Sequence, residues 1–198
     1  MAIKLASIFF TMILVDNYVL AKFLGICPFL GVSKKLDSAV GMSLAVTFVM
    51  VMATAATWPL YMGILAPNGL EYLQTIVFFL IIAILVQLLE NILKKFIPTL
   101  YKSLGVYLPL ITTNCTILGV TILNIDNGYN FMESIVCAAG AGIGFLVAMV
   151  LFSGVRRKVE EAVTPKCFEG LPITLVSAAV TSLSFMGFGG IIESIFHV

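Results

Sequence analysis

Long apolar segments separated by short polar ones occupy most of this chain. Each apolar segment approaches the roughly 20 residues that a helix needs to cross the hydrocarbon core of a bilayer. The pattern therefore predicts an all-α integral membrane protein that forms a single membrane domain with six transmembrane helices. The predicted spans cover residues 4–24, 38–59, 71–93, 104–123, 131–152 and 171–192.

Composition agrees with this class and excludes several others. Apolar residues make up 61% of the 198 residues and charged residues only 11%, so membrane lipid is the expected surrounding. The net charge is +1 and the basic residues are scattered over short loops, which excludes a nucleic-acid surface. With one His and no Gly-rich phosphate loop, the chain offers neither a catalytic triad nor a nucleotide site.

The distribution of basic residues predicts the orientation in the membrane. Lys and Arg occupy the first, third and fifth predicted loops and are absent from the second and fourth. Because basic loops stay in the cytoplasm, we expect a protein of the cell (inner) membrane with both termini on the outer side. Lys4 is then the only basic residue left outside. The loop residues are Lys34, Lys35, Lys94, Lys95, Lys102, Arg156, Arg157, Lys158 and Lys166.

Two similar strings, CPFLGV at 27–32 and CTILGV at 115–120, indicate an internal repeat. The repeats would cover about 1–95 and 96–198, and three spans in each half give them opposite orientations. Such a 3+3 inverted repeat would bring Cys27 and Cys115 towards each other near the middle of the membrane. Helix-breaking residues near each Cys predict interrupted helices there, packed against protein. These residues are Gly25, Pro28, Gly31, Gly105, Pro109 and Gly119.

The chemistry of the paired thiols is left open by the residues alone. A membrane Cys is often an ordinary small apolar residue, and a disulfide would be a weak reason to break two helices. A thiolate metal site needs about four ligands. Cys137 in the fifth span and Cys167 in a loop do not match the depth of the pair. Two further ligands would have to come from another chain.

Three strings carry a resemblance to a known family: FLGICPFLGVSKK at 23–35, LGVYLPLITTNCTILGV at 104–120 and FMGFGG at 185–190. They resemble the A subunit of the Rnf electron-transport complex, a family similar to the E subunit of the sodium-pumping NADH:quinone oxidoreductase. The resemblance extends over essentially the whole chain.

The resemblance implies a site and a set of partners. Cys27 and Cys115 would bind one [2Fe-2S] cluster together with two Cys of a homologous six-helix subunit of opposite topology, the E type. The B, C, D and G types would be further partners. The chain would be an electron-carrying subunit, without a catalytic domain of its own, of an ion-translocating ferredoxin:NAD oxidoreductase that moves Na+ or H+.

Polar residues inside the spans suggest further roles. Asp16, Thr113 and Asn114 are candidates for an ion path, although an ion pair of Asp16 with Lys22 or a partner, and helix capping by Asn114, are competing interpretations. Gly140 and Gly144 predict close helix packing. The alternative function is a small inverted-repeat secondary transporter or channel with incidental thiols.

Overall fold

The computed structural model describes residues 2–33, 36–96, 108–162, 165 and 167–187. Regular structure within these ranges is helical throughout, with no strand, which confirms the all-α prediction. A π-helical turn at Tyr61–Leu65 and a short helical segment at Ala66–Asn68 prolong the third helix. The main helices are α1 (Ala2–Leu14), α2 (Ile26–Val32), α3 (Leu36–Leu60), α4 (Gln74–Phe96), α5 (Leu108–Thr112), α6 (Cys115–Asp126), α7 (Phe131–Glu161) and α8 (Leu171–Met186).

Three helical stretches of the described residues are long and apolar enough to cross a membrane: Leu36–Asn68, Glu71–Ile92 and Phe131–Glu161. They correspond to the second, third and fifth predicted spans. Shorter apolar helices occupy Lys4–Leu14, Leu110–Asp126 and Leu171–Met186. The end of the sixth predicted span, after residue 187, lies outside the described residues.

The first and fourth predicted spans are interrupted rather than continuous. In the first, α1 ends at Leu14 and α2 begins only at Ile26. In the fourth, α5 ends at Thr112 and α6 begins at Cys115. The predicted interruptions near both Cys residues are therefore present, although a single helix over 4–24 was wrong.

The breaking residues do not all act as predicted. Gly25 precedes α2 with left-handed backbone, at φ 80°. Pro28 and Gly31 instead lie inside α2, and Gly119 lies inside α6. Pro28 is tolerated because it occupies the first turn, where an amide has no acceptor within the helix. Gly105 is outside the described residues.

Helices α3 and α7 form the centre of the fold, and α1 packs on α7. A β carbon added to Gly142 of α7 would lie 2.4 Å from Cγ2 of Thr47 in α3. Added at Gly140, it would lie 3.1 Å from the Phe9 carbonyl oxygen, and at Gly144, 2.9 Å from the Met12 carbonyl oxygen. The predicted close packing at Gly140 and Gly144 is therefore confirmed, and its partner is α1.

Helix α7 is longer than the sequence predicted and includes three of the four basic residues assigned to the fifth loop, Arg156, Arg157 and Lys158. Arg156 is only 6% exposed and points into the protein, so its assignment to a solvated loop was wrong. Lys94 and Lys95 likewise lie in the last turn of α4. The described basic residues of the third and fifth predicted loops thus lie at the carboxyl ends of α4 and α7. Lys34, Lys35, Lys102 and Lys166 lie outside the described residues.

Lys4, the basic residue predicted to face outward, forms an ion pair with the start of α7. Its Nζ lies 2.7 Å from Oε1 of Glu133. The other carboxylate oxygen of Glu133 accepts a hydrogen bond from the Asn130 amide at 3.1 Å, completing a capping box. The charge of Lys4 is thereby balanced within the chain.

Candidate two-cysteine site

The two motif cysteines occupy equivalent positions at helix starts. Cys27 is the second residue of α2, and Cys115 is the first residue of α6. Both are exposed on the surface of the chain. Each thiol therefore follows a helix break directly and is accessible to a group outside the chain.

The two helix breaks contact each other. A β carbon added to Gly25 would lie 2.1 Å from Oγ1 of Thr116 and 2.9 Å from Oδ1 of Asn114. Gly25 precedes Cys27 by two residues, whereas Asn114 and Thr116 flank Cys115 on either side. Only a residue without a side chain fits this approach. The fold thus joins the backbone segments that carry the two thiols.

A second close approach reinforces this contact. A β carbon on Gly119, one helical turn after Cys115, would lie 2.6 Å from Cδ1 of Leu24. Leu24 of the first break thus packs directly on α6 at Gly119, where a larger residue would collide with it. Gly31, by contrast, is exposed, and a β carbon added to it would lie 3.8 Å from Cδ1 of Leu110, an ordinary contact distance.

Buried polar atoms surround the junction. The Asn114 side chain accepts a hydrogen bond from the Thr116 amide at 3.1 Å and so caps α6. Its Nδ2 and the Thr116 hydroxyl are buried, and neither has a hydrogen-bond partner within the described part of the chain. At the other break, no side chain caps α2 at Gly25. The junction therefore contains two buried hydrogen-bond donors that no group in the described part of the chain accepts from. Buried polar groups in proteins usually have a partner.

Asn17 within the first break and Ser182 of α8 pair with the backbone of this break. Asn17, 1% exposed, donates from Nδ2 to the Gly144 carbonyl at 2.8 Å and accepts from the Val19 amide at 3.0 Å. Ser182 of α8 donates its hydroxyl to the Leu20 carbonyl. Non-helical backbone at membrane depth is stable only when protein pairs its polar groups, as here.

The carboxyl end of α2 is attached to α7. Arg156 donates to the Leu30 carbonyl and, at 2.8 Å, to the Ser33 hydroxyl. One turn earlier in α7, Phe152 stacks on Phe29 with ring centroids 4.2 Å apart. The short helix that carries Cys27 is therefore fixed at both ends by other parts of the chain.

The three candidate ion-path residues have different surroundings. Asp16 has a side chain that is 43% exposed and lies 3.9 Å from Nζ of Lys22, the ion pair that the sequence favoured. Asn114 is the buried cap of α6, in line with the competing interpretation. Thr113 is exposed between α5 and α6.

The remaining cysteines lie elsewhere. Cys137 is fully buried in α7, whereas Cys167 is exposed ahead of α8. Among the described residues, no three or more His, Cys, Asp and Glu side chains converge as a metal site. Within this part of the chain, the thiols at the junction are Cys27 and Cys115.

Sequence reasoning missed two residues that position the site. Asn17 lies within the first predicted span, where the sequence assigns it no role, and Arg156 was assigned to the fifth loop. Arg156 follows the buried residues Phe145, Met149 and Phe152 at helical spacing, which was a readable sign that it faces inward. Nothing local distinguishes Asn17 as the residue that bonds to α7.

Helix breaks, exposed thiols and apolar spans together define a polytopic membrane protein with a candidate two-thiol site between half-helices. The chain belongs to the Rnf-Nqr family: the family model described as "Rnf-Nqr subunit, membrane protein" matches residues 5–192.

Relatives cover nearly the whole chain. The A subunit of the Na(+)-translocating ferredoxin:NAD(+) oxidoreductase complex of Acetobacterium woodii is 55% identical over 186 residues, which are 94% of this chain and 97% of that protein. The A subunit of the ion-translocating oxidoreductase complex of Syntrophotalea carbinolica is 53% identical, over 91% and 93% of the two chains. That of Aliivibrio salmonicida is 50% identical, over 91% and 94%. The family resemblance seen in the sequence is thereby confirmed.

Proposed function

We propose that this chain is a membrane subunit of an ion-translocating ferredoxin:NAD oxidoreductase and carries electrons through a [2Fe-2S] cluster shared with a homologous partner. The names of the relatives support membership in such a complex. The observation that carries the cluster assignment is the contact of Gly25 with Asn114 and Thr116, which joins the two segments bearing exposed thiols.

The residues at the junction fit such a group. Cys27 and Cys115 would ligate iron as thiolates, and the partner subunit would supply two more. The unpartnered Asn114 Nδ2 and Thr116 hydroxyl would donate hydrogen bonds to sulfur, the kind of outer contact that sets a cluster's potential. When bound, the cluster supplies one-electron transfer, which no side chain of the junction provides.

The chain's own contribution is to hold the two thiols in place. Asn17 and Ser182 fix the first break, Arg156 fixes α2, and Asn114 caps α6. A partner subunit has to cover the exposed sides of Cys27 and Cys115, because an uncovered break would face lipid. We propose that this partner is the homologous E-type subunit, with the B, C, D and G types completing the complex.

The proposed membrane arrangement is a 3+3 inverted repeat. In it, α1 with α2 and α5 with α6 are the two interrupted spans, α3 corresponds to α7, and α4 corresponds to α8. Both termini would face the outer side of the cell (inner) membrane, with the basic ends of α4 and α7 in the cytoplasm. Electron transfer through the junction would be coupled to transport of Na+ or H+.

Replacing the motif thiols tests the proposal. Cys27→Ser and Cys115→Ser should remove the cluster's absorption and paramagnetic signal from the purified membrane complex and stop electron transfer, while the subunit remains inserted. A serine oxygen is a poor replacement for thiolate in iron-sulfur ligation. Cys167→Ser is the matched control, since it removes an exposed thiol away from the junction. Full iron content and normal turnover in either motif variant would refute the assignment and favour a transporter with incidental thiols.

A further inference from the structure

The helix that carries Cys27 cannot hold its position through its own hydrogen bonds. Helix α2 has seven residues, far fewer than an isolated helix needs for stability. No side chain caps its start. The placement of Cys27 must therefore come from contacts with the rest of the chain.

The strongest of these contacts comes from Arg156 in α7. Its guanidinium donates to the Leu30 carbonyl, in the last turn of α2, and to the hydroxyl of Ser33, which follows the helix. A cation at this end of a helix also interacts favourably with the unpaired carbonyls. The stacked pair Phe29 and Phe152 lies beside it. Together these contacts attach α2 to the central helix of the fold.

The Arg156 side chain is buried at its contact with α2. It is 6% exposed, and its Nε lies 3.2 Å from Oε1 of Glu160, so its charge is paired as well as hydrogen-bonded. A buried charge is tolerated only with such partners. The next residue, Arg157, has a side chain that is 84% exposed and is paired with Glu161. Two adjacent arginines of one helix thus have opposite surroundings.

We propose that Arg156 is a positioning residue for the two-thiol site, because it fixes α2 and thereby sets the position of Cys27 relative to Cys115. Leu30 follows Cys27 by three residues, which is about 4.5 Å along a helix axis, so the attachment acts within a turn of the thiol. Arg156 acts through α2 and not as a ligand. The importance of this role for electron transfer rests on the proposed function. The attachment of α2 by Arg156 can be measured without a cluster.

The test compares matched arginine variants by two readouts. Nitroxide labels are placed on Cys27 alone or Cys115 alone, in full-length chains reconstituted in lipid with cysteine-free partner subunits. Arg156→Met keeps a long side chain but removes its hydrogen-bond donors. It should narrow the lines in the paramagnetic resonance spectrum of the label at Cys27, which reports faster motion. The spectrum of the label at Cys115 should stay unchanged. Arg156→Lys, which keeps a charge and donors, should restore part of the immobilisation. Arg157→Met is the control and should change neither label.

In the complex with native cysteines, Arg156→Met should also shift the midpoint potential and paramagnetic signal of the cluster, whereas Arg157→Met should not. An unchanged label spectrum at Cys27 in Arg156→Met would overturn the inference. An equal gain in label mobility at Cys27 and Cys115 would also overturn it, because Arg156 would then be a general structural residue. If Cys27→Ser retains the cluster, the proposed function fails, and the label spectra alone still decide the role of Arg156.

Discussion

Gly25 lies against Thr116 so closely that a β carbon on the glycine would sit 2.1 Å from the threonine hydroxyl oxygen. This contact joins the break before α2 to the start of α6, and each of these segments carries an exposed cysteine. It is made by residues far apart in sequence, at the centre of a fold in which buried polar side chains satisfy the backbone of the first break. The geometry of the two-thiol site depends on it.

Gly25→Ala should therefore damage the site more than an ordinary glycine replacement. A left-handed backbone costs an alanine roughly 1–2 kcal/mol, and here the methyl group also collides with Thr116 and Asn114. Gly128→Ala is the matched control, with φ 65° and no neighbouring atom within 4 Å. We expect Gly25→Ala to lower both the unfolding temperature and the iron content. Gly128→Ala should lower the unfolding temperature without changing the iron content. Equal iron content in the two variants would contradict this.

Asn17→Ala should destabilise the first break. The change leaves the buried Val19 amide without its acceptor, at a cost of about 1–3 kcal/mol, and removes the hydrogen bond from the first break to the Gly144 carbonyl of α7. Its neighbour provides the control, because Asp16→Asn only alters a partly exposed ion pair with Lys22. Thermal unfolding in detergent should show a clear loss for Asn17→Ala and little change for Asp16→Asn. If Asp16→Asn abolished ion transport at normal stability, Asp16 would belong to the ion path after all.

Glu133→Gln should weaken the junction of α1 with α7. The carboxylate accepts from Lys4 at 2.7 Å and from the Asn130 amide at 3.1 Å, so one change removes an ion pair and weakens a cap. Glu161→Gln removes a carboxylate from an exposed pair with Arg157 and serves as control. The unfolding temperature should fall for Glu133→Gln only. A similar fall in both would mean that the ion pair with Lys4 has no special role.

The orientation predicted from charge can be tested with fusions. A reporter that is active only in the cytoplasm should give no signal when fused after Val198, and should be active when inserted in the 94–103 segment, next to the basic end of α4. An insertion in the predicted outer loop at 127–130 provides a second inactive position. The reverse pattern would contradict the orientation predicted from charge and remove its agreement with the inverted repeat.

The sequence predicted the helical class, the second, third and fifth spans and the helix breaks near both Cys strings, because apolar length and helix-breaking residues are local properties. It could not predict how the first break is held. Asn17 bonds to a carbonyl 127 residues away, and Arg156 to one 126 residues away, so their roles exist only in the folded chain. Arg156 and Arg157 are the same residue type side by side, and only the direction in which each faces on α7 separates a buried attachment from a surface charge.

If this chain provides half of a shared cluster site, the ratio of iron and sulfide to protein must show it. Iron and acid-labile sulfide should be measured in the purified chain expressed alone and in the chain coexpressed with its homologous membrane partner. Two thiolates leave a cluster half ligated, so we predict no cluster in the single chain and about one [2Fe-2S] per pair. A stable single chain that carries a complete cluster would contradict the shared site, as would an iron-free pair within an active complex.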